Sequence, residues 1–526
     1  MRRAMNPRMR AFLRSLFGRG AALLGGLVIA GTGCKSRDGA GALAHAEASD
    51  EAFSGVPVPP ADGPKIWAVR AGTPIVSRPT EGARPVGELG AGASVARSKE
   101  PVSTSGCEGG WYAVRPRGFI CAGGAAVLDV TKVRGQPGPP DLSKPLPYRY
   151  ARARGENIPL YARTPSAAEQ LAAEPDLAKV LRKGPDLDPL GSGPNDVPLD
   201  ERFVPTGPPV LLPGGEGIVE GRRTVTSFFG FPSEAQAPQG AGDIKAGALR
   251  KGSAVAFAGS FLADGGANGE KRRFAVTADG RVVPTDRLKP MLGSAWHGLD
   301  LEKLGLPLAF IHKVGVHGYS LVRGKAIQHE DELERRDAVP LTGKFRTVEG
   351  LRYEESRDGD WLRTQDLVVI VKRHKFPEFV KGAQKWLDVS IANQTLTAYE
   401  GTKPVYATLI SSGRDQLKDP QTSAATARGI FKVKSKHITR ALDPREVQNS
   451  FDVTDAPWVM EFEPGYAIHG MYWGDGVGEA QGFHNVGMTP IDAHRIWEWS
   501  DPPLPEGWSA VHDGGATEGT FVNVRP

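Results

Sequence analysis

The sequence predicts a mainly β, multidomain protein, and three observations carry that prediction. Short runs rich in Val, Ile, Phe, Tyr and Trp recur along the chain between turns marked by Gly and Pro. Glycine (66 residues) and proline (43) are abundant, which favours β modules, turns and linkers over long helices. The 526 residues exceed what one hydrophobic core usually serves, while a 40% hydrophobic content is enough for most of the chain to fold.

Residues 1–34 read as an export segment. Arg2, Arg3, Arg8, Arg10, Arg14 and Arg19 flank or precede the apolar run from Ala21 to Ala30, and Gly-Thr-Gly-Cys34 follows. A basic start, a short apolar stretch and small residues before a cleavage point form the secretory pattern, and the run is too short to stay as a membrane-spanning helix. Two readings fit Cys34. It resembles the acylated cysteine of a bacterial lipoprotein, with Gly31 standing where an aliphatic residue is usual, or it is lost or left unmodified after ordinary signal-peptide cleavage. Lys35 after the cysteine leans, by the same resemblance, to an outer-membrane anchor facing the periplasm. The formal charge of +5 rests on this segment, which holds six Arg and no acid; without it the charge is about −1, so no basic surplus argues for nucleic acid. Residues 35–64, rich in Ala, Gly, Ser, Asp and Pro, read as a flexible tether.

Residues 65–132 read as a small β module built from IWAVRAG, PVGELGAGASVAR, GGWYAVRP and GFICAGG. The order Gly87-Glu-Leu-Gly-Ala-Gly-Ala-Ser-Val95 then Gly109-Gly-Trp-Tyr-Ala-Val114 resembles a bacterial SH3-like domain. The resemblance implies either a peptidoglycan- or protein-binding module or a plain spacer. Cys107 and Cys121 are the two cysteines left after Cys34. In an oxidising compartment a disulfide between them is the expected state, with two separate buried thiols as the alternative. Residues 133–205 read as a Pro-rich linker with one helix across Ser166–Lys183, opened by Pro165 and ended by Gly184. Two further strand–loop–strand patterns, in 206–292 and 293–380, faintly echo the first module and are expected to be diverged SH3-like segments, each a small β-barrel.

From residue 381 to 526 the pattern is that of a β sandwich with a short helix. Lys385 to Tyr399 reads as two strands around a turn at Asn393-Gln394, Val405 to Ser412 as a third and Gly429 to Ser435 as a fourth. The ordered blocks Leu387, Val389, Gln394, Leu396 and Tyr399, then Ser411-Ser-Gly413, Thr426-Ala-Arg-Gly429 and Phe431, then Tyr466-Ala-Ile-His469-Gly470, Tyr472-Trp473 and Thr489-Pro-Ile-Asp-Ala493, resemble the L,D-transpeptidase (YkuD-type) family. That resemblance implies a cell-wall domain acting on peptidoglycan stem peptides, with no cofactor. Tyr472 and Trp473, next to His469, are the expected wall of its substrate cleft.

The family's catalytic signature, Ser-His-Gly-Cys-x-Arg/Asn, is where this sequence departs. Counting without gaps from His469-Gly470 and from Asp492-Ala493 places Phe483 at the base position, Asn485 at the nucleophilic Cys and Gly487 at the Arg/Asn. A shift of one residue puts His484 at the base and Val486 at the Cys. Neither register supplies the thiolate that attacks the stem-peptide amide. His469 and His484 fit no tight metal-ligand spacing, so no metal is expected. His494 is expected on the helix surface, and Asp475 and Glu479 in a solvated lid-like segment. The expectation is therefore an exported, periplasmic lipoprotein held to the membrane by its lipid. Its degenerate L,D-transpeptidase domain would bind peptidoglycan or a cell-wall enzyme. The alternatives are an active transpeptidase with a rearranged site and a purely structural envelope lipoprotein.

Overall fold

The computed structural model describes residues 55–133, 139–182, 224–226, 232–234, 245–264, 271–278, 281–512 and 519–526. Cys34, residues 35–54 of the tether and Gly184 lie outside them. The protein is mainly β: among the described residues the strands form several open sheets, none closed into a barrel, and helices are few and short.

In the first module the strands Lys65–Ala68, Ser94–Ala96 and Ala126–Val127 form a three-stranded antiparallel sheet. Thr73–Val76, Pro85–Leu89, Trp111–Ala113 and Phe119–Cys121 form a second layer over a core of Ile66, Ile75, Val86, Leu89, Val95, Tyr112 and Ile120. A disulfide joins Cys107 to Cys121, with Cα atoms 5.9 Å apart. One edge of the second layer joins the first, with the Ser98 N–H donating to the Ala113 carbonyl (2.9 Å) and the Arg115 N–H to the Ala96 carbonyl (3.0 Å), while its other edge is used elsewhere. Gly87 and Glu88 pair with Val511 and Ala510, so the layer continues into the C-terminal domain as one nine-stranded sheet.

The segment expected as a Pro-rich linker contributes two strands, Arg149–Ala153 and Ile158–Tyr161, to a seven-stranded sheet with strands from 245–291. Its single expected helix is two, Ala167–Ala173 and Leu177–Arg182, separated at Pro175, which lacks the N–H that a continuous helix needs. Ser166 caps the first with a reciprocal capping box to Glu169. Buried Arg272 anchors this helical arm to the sheet through Glu174 (2.7 Å) and Asp286 (2.8 Å). In the next segment, Leu308–Ile311, Val316–Val322, Lys325–Leu333, Ala338–Val348, Leu351–Ser356, Trp361–Arg363 and Leu367–Ile370 form another seven-stranded sheet.

The C-terminal domain is a sandwich. One layer holds Lys385–Ser390, Thr395–Glu400, Lys403–Leu409, Gly429–Lys432 and Phe521–Arg525, with Leu299–Asp300 added at its edge. The other holds Ser435–Arg440, Ala456–Glu463, Tyr466–Gly470 and Val486–Met488. Alternating apolar residues of both layers, among them Leu387, Val389, Leu396, Met460, Ile468 and Val486, meet in one core, which the helix Pro490–Trp499 covers with Ala493, Ile496 and Trp497. Its first turn is fixed by Thr489, which caps the helix through the Asp492 N–H (3.3 Å).

Candidate functional site

The strand Tyr466–Gly470 carries His469, and the strand Val486–Met488 runs parallel beside it, with Ile468 opposite Val486 and His469 opposite Gly487. The chain between them returns across the end of the other layer. Ser411 bridges Gly487, and Gly413 bridges Gly482. Just before the second strand the backbone turns sharply. His484 has a φ of +67°, and the Asn485 N–H donates to the Phe483 carbonyl (2.8 Å), closing a three-residue turn. A left-handed conformation favours glycine, so His484 is held there against its own preference.

Asn485 is fully buried and both ends of its side-chain amide are hydrogen-bonded. Its Oδ1 accepts from the Ala467 N–H (2.9 Å), and its Nδ2 donates to Glu446 Oε2 (3.0 Å). The same Glu446 oxygen accepts from the Phe483 N–H (2.8 Å). The other carboxylate oxygen stands 3.6 Å from His469 Nε2, with both side chains buried. His469 Nδ1 lies 3.2 Å from the Gly470 carbonyl. Glu446 can reach this far only because residue 482 is glycine: a Cβ there would stand 2.7 Å from Glu446 Oε1. Thr426 braces the turn from behind, its hydroxyl accepting from the Gly413 N–H and donating to the Asn485 carbonyl. The centre is thus a buried cluster of carboxylate, imidazole and amide.

Two guanidinium groups, of Arg414 and Arg445, lie over the buried Phe483 ring at 5.6 and 4.2 Å from its centroid. His484 stacks between Phe483 and Tyr466, and its Nε2 lies 2.8 Å from the Ser423 carbonyl; burial, the largest influence on it, lowers its pKa. Tyr472, expected on a cleft wall, is instead packed in the core. Its ring lies 4.0 Å from that of Tyr150 in the preceding sheet, and burial raises both phenol pKa values well above the ordinary range. Trp473 is half-buried, 5.6 Å from the His469 ring. The lid-like segment is tied down by ion pairs from the neighbouring module, Arg336 to Asp475 (2.7 Å) and Arg335 to Glu479. His494, expected at the surface, is half-buried over Trp458, with Nε2 2.8 Å from the Leu142 carbonyl. Among the described residues no group of three or more His, Cys, Asp or Glu is arranged to hold a metal ion.

The sequence reading missed Glu446. It lies 39 positions before Asn485, on the short 3-10 turn Pro444–Val447, and nothing local marks it as part of the centre. Asp492, by contrast, stands in a quoted block. It is fully buried and takes bonds from Tyr406 (2.6 Å), Thr408 (2.5 Å), Thr489 (3.0 Å) and the Gly298 N–H (3.0 Å), pinning the helix to the sheet.

The C-terminal domain is thus a two-layer fold with a His-Gly strand beside a parallel strand and a capped helix. Residues 384–520 match the YkuD family model, described as the L,D-transpeptidase catalytic domain. No curated protein matches the chain. Among solved structures the chain is similar to a mutant of the Enterococcus faecium L,D-transpeptidase (18% identity over 30% of this chain and 55% of that one, TM-score 0.21). It is also similar to the L,D-transpeptidase from Xylanimonas cellulosilytica (20% identity, 29% and 65%, TM-score 0.21) and to that from Mycobacterium smegmatis (11% identity, 45% and 90%, TM-score 0.21). The chain spans under two thirds of the first two.

Proposed function

We propose that this protein is an exported envelope lipoprotein whose L,D-transpeptidase-type domain serves in peptidoglycan binding or remodelling without catalysing transpeptidation. One observation carries the reading: the buried Asn485, held by Glu446 and the Ala467 N–H. The ungapped register puts Asn485 at the family's thiol position, His484 at the glycine before it and Phe483 at the base. The positive φ of His484 supports that register, since it is the conformation a glycine takes most easily. Asn has no ionisable nucleophile, and the loss of a catalytic nucleophile costs on the order of 10⁶ in kcat in a well-studied hydrolase. Stem peptides of peptidoglycan, or a cell-wall enzyme, are the partners this reading assigns, with the membrane as anchor through an acylated Cys34. No helix among the described residues is long and apolar enough to cross a membrane.

The complete burial of His469 and Asn485 favours a second reading, a structural envelope lipoprotein with no ligand in the old cleft. Two assays on the full chain separate these. Incubation with a tetrapeptide donor and a D-amino acid is expected to give no exchange, and a carbapenem no covalent adduct, since both need the thiolate. Clear exchange above background would move the active-enzyme alternative into first place. Retention on purified sacculi supports the binding role, and its absence leaves the structural one. For the anchor, the mature protein is expected in the membrane fraction and Cys34→Ala in the soluble fraction. Acyl chains at about 0.8 kcal/mol per buried CH₂ hold a protein firmly once two or more are attached. A soluble product from the unmutated gene would remove the lipoprotein assignment.

A further inference from the structure

Outside this centre, the sheet of residues 308–370 carries a second constellation of chemically able side chains. Val316–Val322 and Lys325–Leu333 form a hairpin, with Ser320 opposite Ile327 and Tyr319 opposite Gln328. Along the first strand Tyr319 turns inward against Tyr353 and Trp361, so Ser320 faces out. The ladder then slips. The next pair is His317 with Glu332, so Gly318 alone faces the three residues from His329 to Asp331. This bulge aims the His329 ring across Gly318 toward Ser320. Ser320 Oγ lies 2.8 Å from His329 Nε2, and the other ring nitrogen, Nδ1, lies 3.5 Å from Asp360 Oδ1. Asp360 sits at the end of the turn before Trp361–Arg363, held by bonds in both directions with Ser356. Gly318 supplies the room. A Cβ there would come within 3.0 Å of His329 Nδ1 and 3.6 Å of the Asp360 side chain.

We propose that Ser320, His329 and Asp360 form a nucleophilic triad that cleaves short acyl esters. Each part has the role its geometry allows. With the ring proton on Nδ1 facing Asp360, Nε2 accepts the Ser320 hydroxyl proton. Ser320 Oγ then bonds to the acyl carbon and the carbonyl oxygen takes the negative charge. Collapse breaks the bond to the leaving alcohol, which departs with the proton from Nε2. Water repeats the sequence on the acyl-serine, losing a proton to His329, and releases the carboxylic acid and free serine. Asp360 touches no substrate and is a positioning residue. The exposed side chains of Ile327 and Val322 flank Ser320 on the same face, an apolar rest for a short acyl group. The serine is open to solvent, so water solvates the developing oxyanion and the acceleration stays modest next to that of a closed site.

The test uses the full chain and two probes, a fluorophosphonate and p-nitrophenyl acetate. With the first, the Ser320 Oγ–P bond forms as P–F breaks, and fluoride leaves. We expect one fluorophosphonate adduct, mapped to the peptide containing Ser320, and ester turnover that falls to the buffer rate in Ser320→Ala. His329→Gln should lose on the order of 100-fold, the scale of general-base catalysis. Asp360→Asn should lose about 10-fold and shift the pH–rate inflection, which a purely structural role would leave in place. Ser320 is exposed, so its alanine variant keeps the fold, and unchanged thermal unfolding verifies this. An adduct elsewhere, or equal turnover by Ser320→Ala, overturns the proposal. The triad is remote in sequence from Asn485 and needs neither peptidoglycan nor the C-terminal centre, so its failure and that of the proposed function are distinguishable.

Discussion

Glu446 decides the character of the C-terminal centre. Its carboxylate takes the Phe483 N–H and the Asn485 amide in a place closed to water, so removing it orphans two buried donors. Glu446→Ala is expected to lower stability by about 3 kcal/mol, measured by chemical denaturation of the full chain. The same carboxylate bears on the proposed register. On that register Asn485→Cys would place a thiol beside a buried acid, with Phe483 at the proposed base position and Gly487 at the proposed Arg/Asn position. No carbapenem adduct is expected by mass spectrometry from that variant. Far from the centre, the Cys107–Cys121 bridge closes a loop of about 15 residues, worth about 3 kcal/mol in the chain-entropy account. Replacing both cysteines with serine should lower the first module's stability by that order.

At the scale of elements, the junction between Pro85–Leu89 and Ala510–His512 binds the first module to the C-terminal domain. Trp508 crosses it, entering the module's core and donating to the Arg115 carbonyl (3.2 Å). A Cβ on Gly87 would stand 2.1 Å from the indole, so the module's strand is shaped for this ring. Trp508→Ala is expected to cost about 3–5 kcal/mol, read as earlier unfolding of both partners. The polar side of the junction titrates. Burial and the Arg440 charge push His437 down to about 3. Burial pushes Glu88 up, but the His512 bond and the charges of His437, His512 and Arg440 outweigh it and hold it at about 2. Both groups are depressed, so the unfolded chain binds more protons than the folded one across the interval. The contribution of these two groups is full above pH 6.5, falls between 6.5 and 3 through His437, and falls further between 4.5 and 2 through Glu88. A series of melting temperatures should show this slope, and His437→Gln should flatten its upper part.

For the whole molecule, the shared nine-stranded sheet makes two sequence-distant regions one mechanical unit. Calorimetry on the full chain is expected to show the first module and the C-terminal domain melting in a single transition. Residues 381–526 alone would expose Trp508, Val511 and an unpaired strand edge, and are expected to be less stable and prone to associate. The sheets of residues 149–291 and 308–370 add to this. One packs Tyr150 on Tyr472, and the other holds the segment of Asp475 and Glu479 through Arg336 and Arg335.

The mainly β class was legible because strand-forming runs and turn residues act locally, and local chemistry is written in order along a sequence. The blocks from Leu387 to Asp492 announced the C-terminal domain for the same reason: Gln394, Thr426 and Asp492 hold turns and a cap of this fold. That no cysteine follows Cys121 was legible too, since an absent residue type needs no coordinates. What lay beyond reach were pairings between residues far apart in sequence. Pro175 splitting a helix could have been read from its own position. Glu446 meeting Asn485, Trp508 filling the first module, Tyr472 buried under Tyr150 and His329 swung over Gly318 could not. Composition and spacing record which side chains a chain possesses and which faces alternate. Only the tertiary structure decides which carboxylate a buried amide finds, because burial there is granted by distant strands and by the few positions, such as Gly482 and Gly318, where a missing Cβ lets two polar groups meet.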